Sequence, residues 1–193
     1  MKKVVLASNN KHKIKEFNEI LKGIELLTLN DIGYNREIEE TGATFLENAL
    51  IKARTISEYL KSKNLDYDVI ADDSGICCAA LDLAPGVYSA RYAGDHVEPK
   101  DNRDKLIYEL KDKDKTAYFI CTIVLYHIDG TYEYKEGKTY GKIIDEERGD
   151  TSFGYDAIFL SDELNKTFGE VSSEEKNKIS HRYRALKQIK EIL

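Results

Sequence analysis

The sequence is poor in cysteine, with three in 193 residues. Cys77 and Cys78 are adjacent and Cys121 stands apart, so neither a disulfide framework nor a CxxC-type zinc site can be drawn. Buried thiols in a reducing compartment are the expectation. Proline is scarcer still, with two. No Pro-rich linker marks a boundary, and residues 1–193 are read as a single domain of two lobes. Long apolar runs are missing: nothing approaches the roughly 20 residues of a membrane span. The run Val4 to Ala7 is too short for a signal peptide. A basic surplus is missing too, with 29 Lys plus Arg against 35 Asp plus Glu and a net charge of −6. A nucleic-acid coat needs a basic footprint, so that role is excluded. The expected protein is cytoplasmic, with no membrane and no nucleic-acid partner.

What is present supports a core, since 41% of the residues are hydrophobic. Val4 to Ala7 reads as a buried strand, followed by a polar loop and a helix over about 11–22, from the spacing of Ile14, Phe17, Ile20 and Leu21. A second strand is expected at 25–29. Thr44 with Glu47 has the capping-box form and opens a helix to about Leu60, with Phe45, Ala49, Ala53 and Ile56 on one face. A third strand, 68–71, ends in Asp72-Asp73-Ser74-Gly75. Residues 84–95 are loop-like, and a helix covers about 101–111. Strands at 117–126 and 131–134 flank an Asp129-Gly130 hairpin turn. Further strands are expected at 138–144 and 156–160, and the C-terminus is helical from Ser173. This order gives an α/β fold with a mixed, twisted central sheet flanked by helices.

Five clusters could carry chemistry. The loop Ser8-Asn9-Asn10-Lys11-His12-Lys13 leads into a helix start, where free backbone N–H groups and the dipole favour phosphate. It has no glycine and no GK[ST], so it is not a Walker loop, and a solvated, capped helix start remains equally open. Asp72 and Asp73 are adjacent on a strand, so they point to opposite faces and have different tasks. One can face a cleft and hold a hard cation or accept a proton, as ligands sit beyond the carboxyl ends of strands in open α/β sheets. Glu39-Glu40-Thr41-Gly42 can share that cation if its loop comes near Asp73. Ser152-Phe153-Gly154-Tyr155-Asp156 offers an aromatic beside a glycine, where a flat ligand can stack, with an aromatic core next to a turn equally open. Lys176, Ser180, His181 and Arg182 supply donors that neutralise phosphate or read a carbonyl oxygen on a base. Cysteine catalysis is rejected, because no base lies near Cys77 or Cys78 in sequence.

Taken in register, these clusters resemble the Ham1 family of inosine triphosphate pyrophosphatases. The matching residues are Ser8, Asn10 and Lys13; Glu39 to Gly42; Ala71 to Gly75; Ala84 to Gly94; Phe153 to Asp156; and Glu175-Lys176-Asn177 with Ser180-His181-Arg182. They span nearly the whole chain. The resemblance implies an elongated, two-lobed fold with a central cleft, a homodimer, and hydrolysis of ITP, dITP and XTP to monophosphate and pyrophosphate with Mg²⁺, or with Mn²⁺ in its place. On that basis Ser8 to Lys13 hold phosphate, and Glu39 and Asp73 hold the metal, with Glu40 the rival to Glu39. Asp73 also activates the attacking water. Lys176, His181 and Arg182 read the 6-oxo group, with Phe153 stacking and Gly154, Tyr155 and Asp156 around the base. Ser74 lies near phosphate or sugar. The alternatives are a related pyrophosphatase of other base preference and a non-catalytic nucleotide sensor. The charge distribution suits a small anionic ligand. Residues 1–30 carry six Lys against three Glu, 171–193 carry six Lys plus Arg against three Glu, and the acidic surplus lies between them.

Overall fold

The computed structural model describes residues 2–193. Its six strands are β1 (Lys3–Leu6), β2 (Glu25–Leu27), β3 (Asp68–Cys78), β4 (Thr116–Tyr126), β5 (Tyr132–Ile143) and β6 (Phe159–Ser161). They form one sheet in the order β2-β1-β3-β4-β5-β6. β1 lies parallel to β2 and β3, while β5 and β6 are antiparallel, so the sheet is mixed. Its helices are α1 (Lys11–Ile20), α2 (Phe45–Ser62), α3 (Pro99–Glu109), α4 (Ser173–Lys176) and α5 (His181–Lys190). None of the described helices is long and apolar enough to cross a membrane.

The chain divides into two compact units. Unit 1 comprises 1–73, 121–137 and 183–193, and unit 2 comprises 74–120 and 138–182. Strand alternation organises unit 1. Val5, Ala7, Val69 and Ala71 face Ala49, Ala53, Ile56 and Leu60 of α2. Val4, Leu6 and Ile70 face the other way, onto Phe17 and Leu21 near α1 and Ala185, Leu186 and Ile189 of α5. Each fully buried Val, Leu, Ile or Phe among them contributes about 1.5–3 kcal/mol. Unit 2 has its own core of Ile76, Cys78, Leu106, Leu110, Phe119, Ile158, Phe159 and Phe168.

Several elements differ from expectation. β3 does not stop at Ala71 but continues through Asp72-Asp73-Ser74-Gly75 to Cys78. Sequence patterning misses this because two carboxylates interrupt an apolar run, and here each is matched by a polar partner. The two short strands expected after the hairpin are one strand, β5. Residues 156–158 form a 3₁₀ turn before β6 rather than strand, and 86–91 are 3₁₀ rather than open loop. The C-terminal helix is broken between Lys176 and His181.

Candidate active site

The start of α1 takes the capped form that the sequence left open beside a phosphate site. Asn10 Oδ1 accepts from the backbone N–H of His12 (3.0 Å) and Lys13 (3.2 Å), so these donors are not free. Ser8 Oγ accepts from Asn10 N at 3.2 Å. Ser8 is half-buried, and Asn9, Asn10, Lys11 and His12 are exposed. Lys13 turns inward, and its Nζ lies 3.0 Å from Asp72 Oδ2.

β3 sends its two carboxylates to opposite faces, as alternation requires. Asp72 is 1% exposed and continues the Ile70 side, toward Lys13 and the Cys121 thiol (3.8 Å). Asp73 is 7% exposed and continues the Ala71 side, toward α2, where Asn48 Nδ2 donates to it at 3.0 Å. Asn48 has a second task, accepting from Gly42 N at 2.7 Å, and so ties the Glu39–Gly42 loop to the Asp73 side chain. The helix start is secured by Thr44 Oγ1, which accepts from Glu47 N (3.1 Å), and by Glu47 Oε2, which accepts from Ala43 N (2.6 Å).

Lys52, one turn beyond Asn48, completes the cluster. Its Nζ lies 2.6 Å from Glu40 and donates to the Asp72 carbonyl at 2.5 Å. Burial alone would lower its pKa, but the charges of Asp72, Glu40 and Asp73 outweigh it and hold the value above that of an ordinary lysine. Asp73 is pushed up to about 6. Burial is the main cause, Glu40 adds to it, and Lys52, Lys13 and Asn48 oppose it. The result is a buried carboxylate that titrates near the working range of a general base. Of the two glutamates, Glu40 is half-buried and paired while Glu39 is exposed.

Gly42 has no room for a side chain. A Cβ there would lie 2.6 Å from Glu47 Cβ and 2.9 Å from Asn48 N. Gly42→Ala is expected to push the loop off α2, costing about 1–3 kcal/mol. Thermal unfolding checks this, and an unchanged melting temperature would refute it.

Unit 2 assembles the second group of residues. Lys176 Nζ lies 2.7 Å from Asp156 Oδ2 and sits over two rings, 5.1 Å from the Phe153 centroid and 5.6 Å from that of Phe168. The His181 ring stacks on Phe119 at 4.8 Å, and Arg182 Nη2 donates to Ser74 Oγ at 3.1 Å. Lys176, His181 and Arg182 are all buried. Gly154 takes φ +51°, and Tyr155 OH donates to Ser89 O at 2.6 Å. The three thiols are buried, and burial pushes Cys78 up to about 12, far from a reactive thiolate.

Sequence reasoning missed Asn48 and Lys52. The available signal was their position, four residues apart, beside the Ala49–Ala53–Ile56 stripe of α2. Polar residues bordering a buried stripe need a polar partner across it.

The Ham1 family model matches residues 4–192. The dITP/XTP pyrophosphatase of Clostridium perfringens is 49% identical over 199 aligned positions, spanning all of this chain and 98% of that protein. The enzyme of the same name from Bacillus subtilis is 43% identical, with 100% and 98% of the two chains covered. The solved structure of a HAM1 protein from Coxiella burnetii superposes with a TM-score of 0.87 at 38% identity, covering 100% of this chain and 98% of that one. With the family model, the full-length relatives and the superposed structure in agreement, this chain belongs to the Ham1 family.

Proposed function

We propose that the protein hydrolyses non-canonical purine nucleoside triphosphates (ITP, dITP and XTP) to the monophosphate and pyrophosphate. The observation that carries this reading is Asp73, a buried carboxylate with a pKa near 6, held by Asn48 in the field of Lys52, Glu40 and Lys13. Pure anion binding gains nothing from such carboxylates, which weighs against a sensor. The names of the full-length relatives support the same class of substrate.

Mg²⁺ or Mn²⁺ suits the residues present. Among the described residues no three His, Cys, Asp or Glu side chains group as a metal centre. A nucleotide-bound Mg²⁺ needs only one or two carboxylates, the rest of its shell being phosphate oxygen and water. Asp73 and Glu40 repel each other electrostatically, a strain that a cation relieves. Asp73, with Glu40 or Glu39, is the donor set that would hold the ion. When bound, the ion neutralises phosphate oxygens.

The protein's own residues do the rest. Ionised Asp73 orients a water and takes its proton as it attacks the α-phosphorus. Lys13 and Lys52 balance the charge that builds on the departing pyrophosphate, so no covalent intermediate is required. In unit 2, Phe153 stacks on the base, while Lys176, His181 and Arg182 donate to its 6-oxo oxygen. Adenine presents an amino group there and leaves buried donors unmatched, which is the strong form of discrimination.

Pyrophosphate release across ITP, dITP, XTP, GTP and ATP, with and without Mg²⁺, tests the reading. ITP and XTP are expected to exceed ATP in kcat/KM by at least about a hundredfold. Equal values for ITP and ATP would refute the base assignment, and no release from any triphosphate would refute the enzyme. The protein is expected to act in the cytoplasm as a homodimer, which analytical ultracentrifugation checks.

A further inference from the structure

Helix α3 and the motif Ala84–Gly94 have no part in the chemistry above, yet they grip the segment that does. Asn102 on α3 accepts from Ala93 N at 2.7 Å and donates to Ala90 O at 3.2 Å. It fixes the motif, whose Ser89 carbonyl in turn receives the Tyr155 hydroxyl at 2.6 Å. The next residue, Arg103, is 2% exposed. Its Nε donates to Glu147 Oε1 at 2.7 Å and its Nη1 donates to Gly154 O at 2.7 Å. One planar guanidinium thus joins the two ends of the loop 147–154. Phe153, whose ring lies beneath Lys176, is the residue just before the pinned Gly154 carbonyl.

Burying a guanidinium is costly, and a hydrophobic side chain of similar volume would pack as well. A hydrophobic side chain cannot hold two acceptors at a fixed separation, and an ammonium lacks the rigid fork that reaches both. We infer that Arg103 is a positioning residue for base recognition, acting through the Gly154 carbonyl to fix the Phe153 ring against Lys176. This rests on the assignment of Phe153 and Lys176 to the base.

The test compares Arg103→Met, Arg103→Lys and Glu147→Gln with the wild type. Three quantities are read: KM and kcat for ITP and ATP, tryptic cleavage after Arg148 located by mass spectrometry, and melting temperature. Arg103→Met is expected to raise KM for ITP about tenfold or more, to leave kcat within about threefold, and to erode the preference for ITP over ATP. Cleavage after Arg148 is expected to accelerate in the folded protein. Arg103→Lys should fall between Met and wild type. Glu147 is partly exposed, so Glu147→Gln keeps the test open if Arg103→Met does not fold, and the same shifts are expected at smaller size. A lowered melting temperature with unchanged KM and unchanged preference would overturn the inference and leave Arg103 a structural residue. If the wild type releases pyrophosphate from no triphosphate, the parent reading fails. Cleavage after Arg148 then still decides the pin: faster nicking upholds it and an unchanged rate removes it.

Discussion

Asp73→Asn is expected to lose about three orders of magnitude in kcat and, at neutral pH, to unfold at a higher temperature than the wild type. The two effects share one cause. Burial and Glu40 raise the Asp73 pKa from 3.8 to about 6, so the folded state disfavours the ionised carboxylate that the proposed chemistry needs. An acid with a raised folded pKa binds more protons folded than unfolded. Its presence therefore costs no stability below about pH 4 and a growing amount as pH rises to about 6, reaching a plateau of about 2–3 kcal/mol. Asparagine removes the charge and keeps an oxygen to accept from Asn48. Melting curves in metal-free buffer should show the variant and wild type converging near pH 4 and separating toward pH 7. Equilibrium binding of ITP should change by only a few fold. Near-normal turnover would sink the role of Asp73 as base, and a variant no more stable at pH 7 than wild type would sink the account of its pKa.

Much of this site could be read from residue order, for identifiable reasons. Asp72 and Asp73 had to diverge because strand side chains alternate, and they do, toward α1 and α2. Thr44 and Glu47 marked the start of α2 through local hydrogen-bonding chemistry. Other features depended on partners distant in sequence. β3 runs on to Cys78 because Lys13, Asn48 and Arg182 each meet a polar side chain along it, and none of these is near it in sequence. At the start of α1 the sequence left free donors and a capped helix start equally open, and Asn10 folds back to cap two of them. Arg103 gave no signal in the sequence, because an arginine in a charged helix reads as solvated until its acceptors, 44 and 51 residues away, are known.

Lys52→Met is expected to be the most damaging substitution of a single charged residue in unit 1. The side chain is 12% exposed, and its ammonium faces Glu40, the Asp72 carbonyl and the charge of Asp73. Methionine fits the space and supplies none of that compensation. Removing one partner of a buried charge network costs about 3–5 kcal/mol, because the remaining charges stay buried. In a chain of this size that lowers the melting temperature by about 10 °C or more. The pH dependence identifies the cause. Without Lys52, Asp73 loses its strongest acid-strengthening neighbour, so its folded pKa rises above about 6. The variant then loses stability as pH climbs from about 4 through that higher value, while at pH 4 Asp73 is protonated and the deficit narrows. The Lys52→Met/Asp73→Asn double variant should recover part of the loss, since the second change removes a charge that the first leaves unbalanced. A deficit of equal size at pH 4 and pH 7.5, or strict additivity in the double variant, would show that Lys52 acts by packing alone.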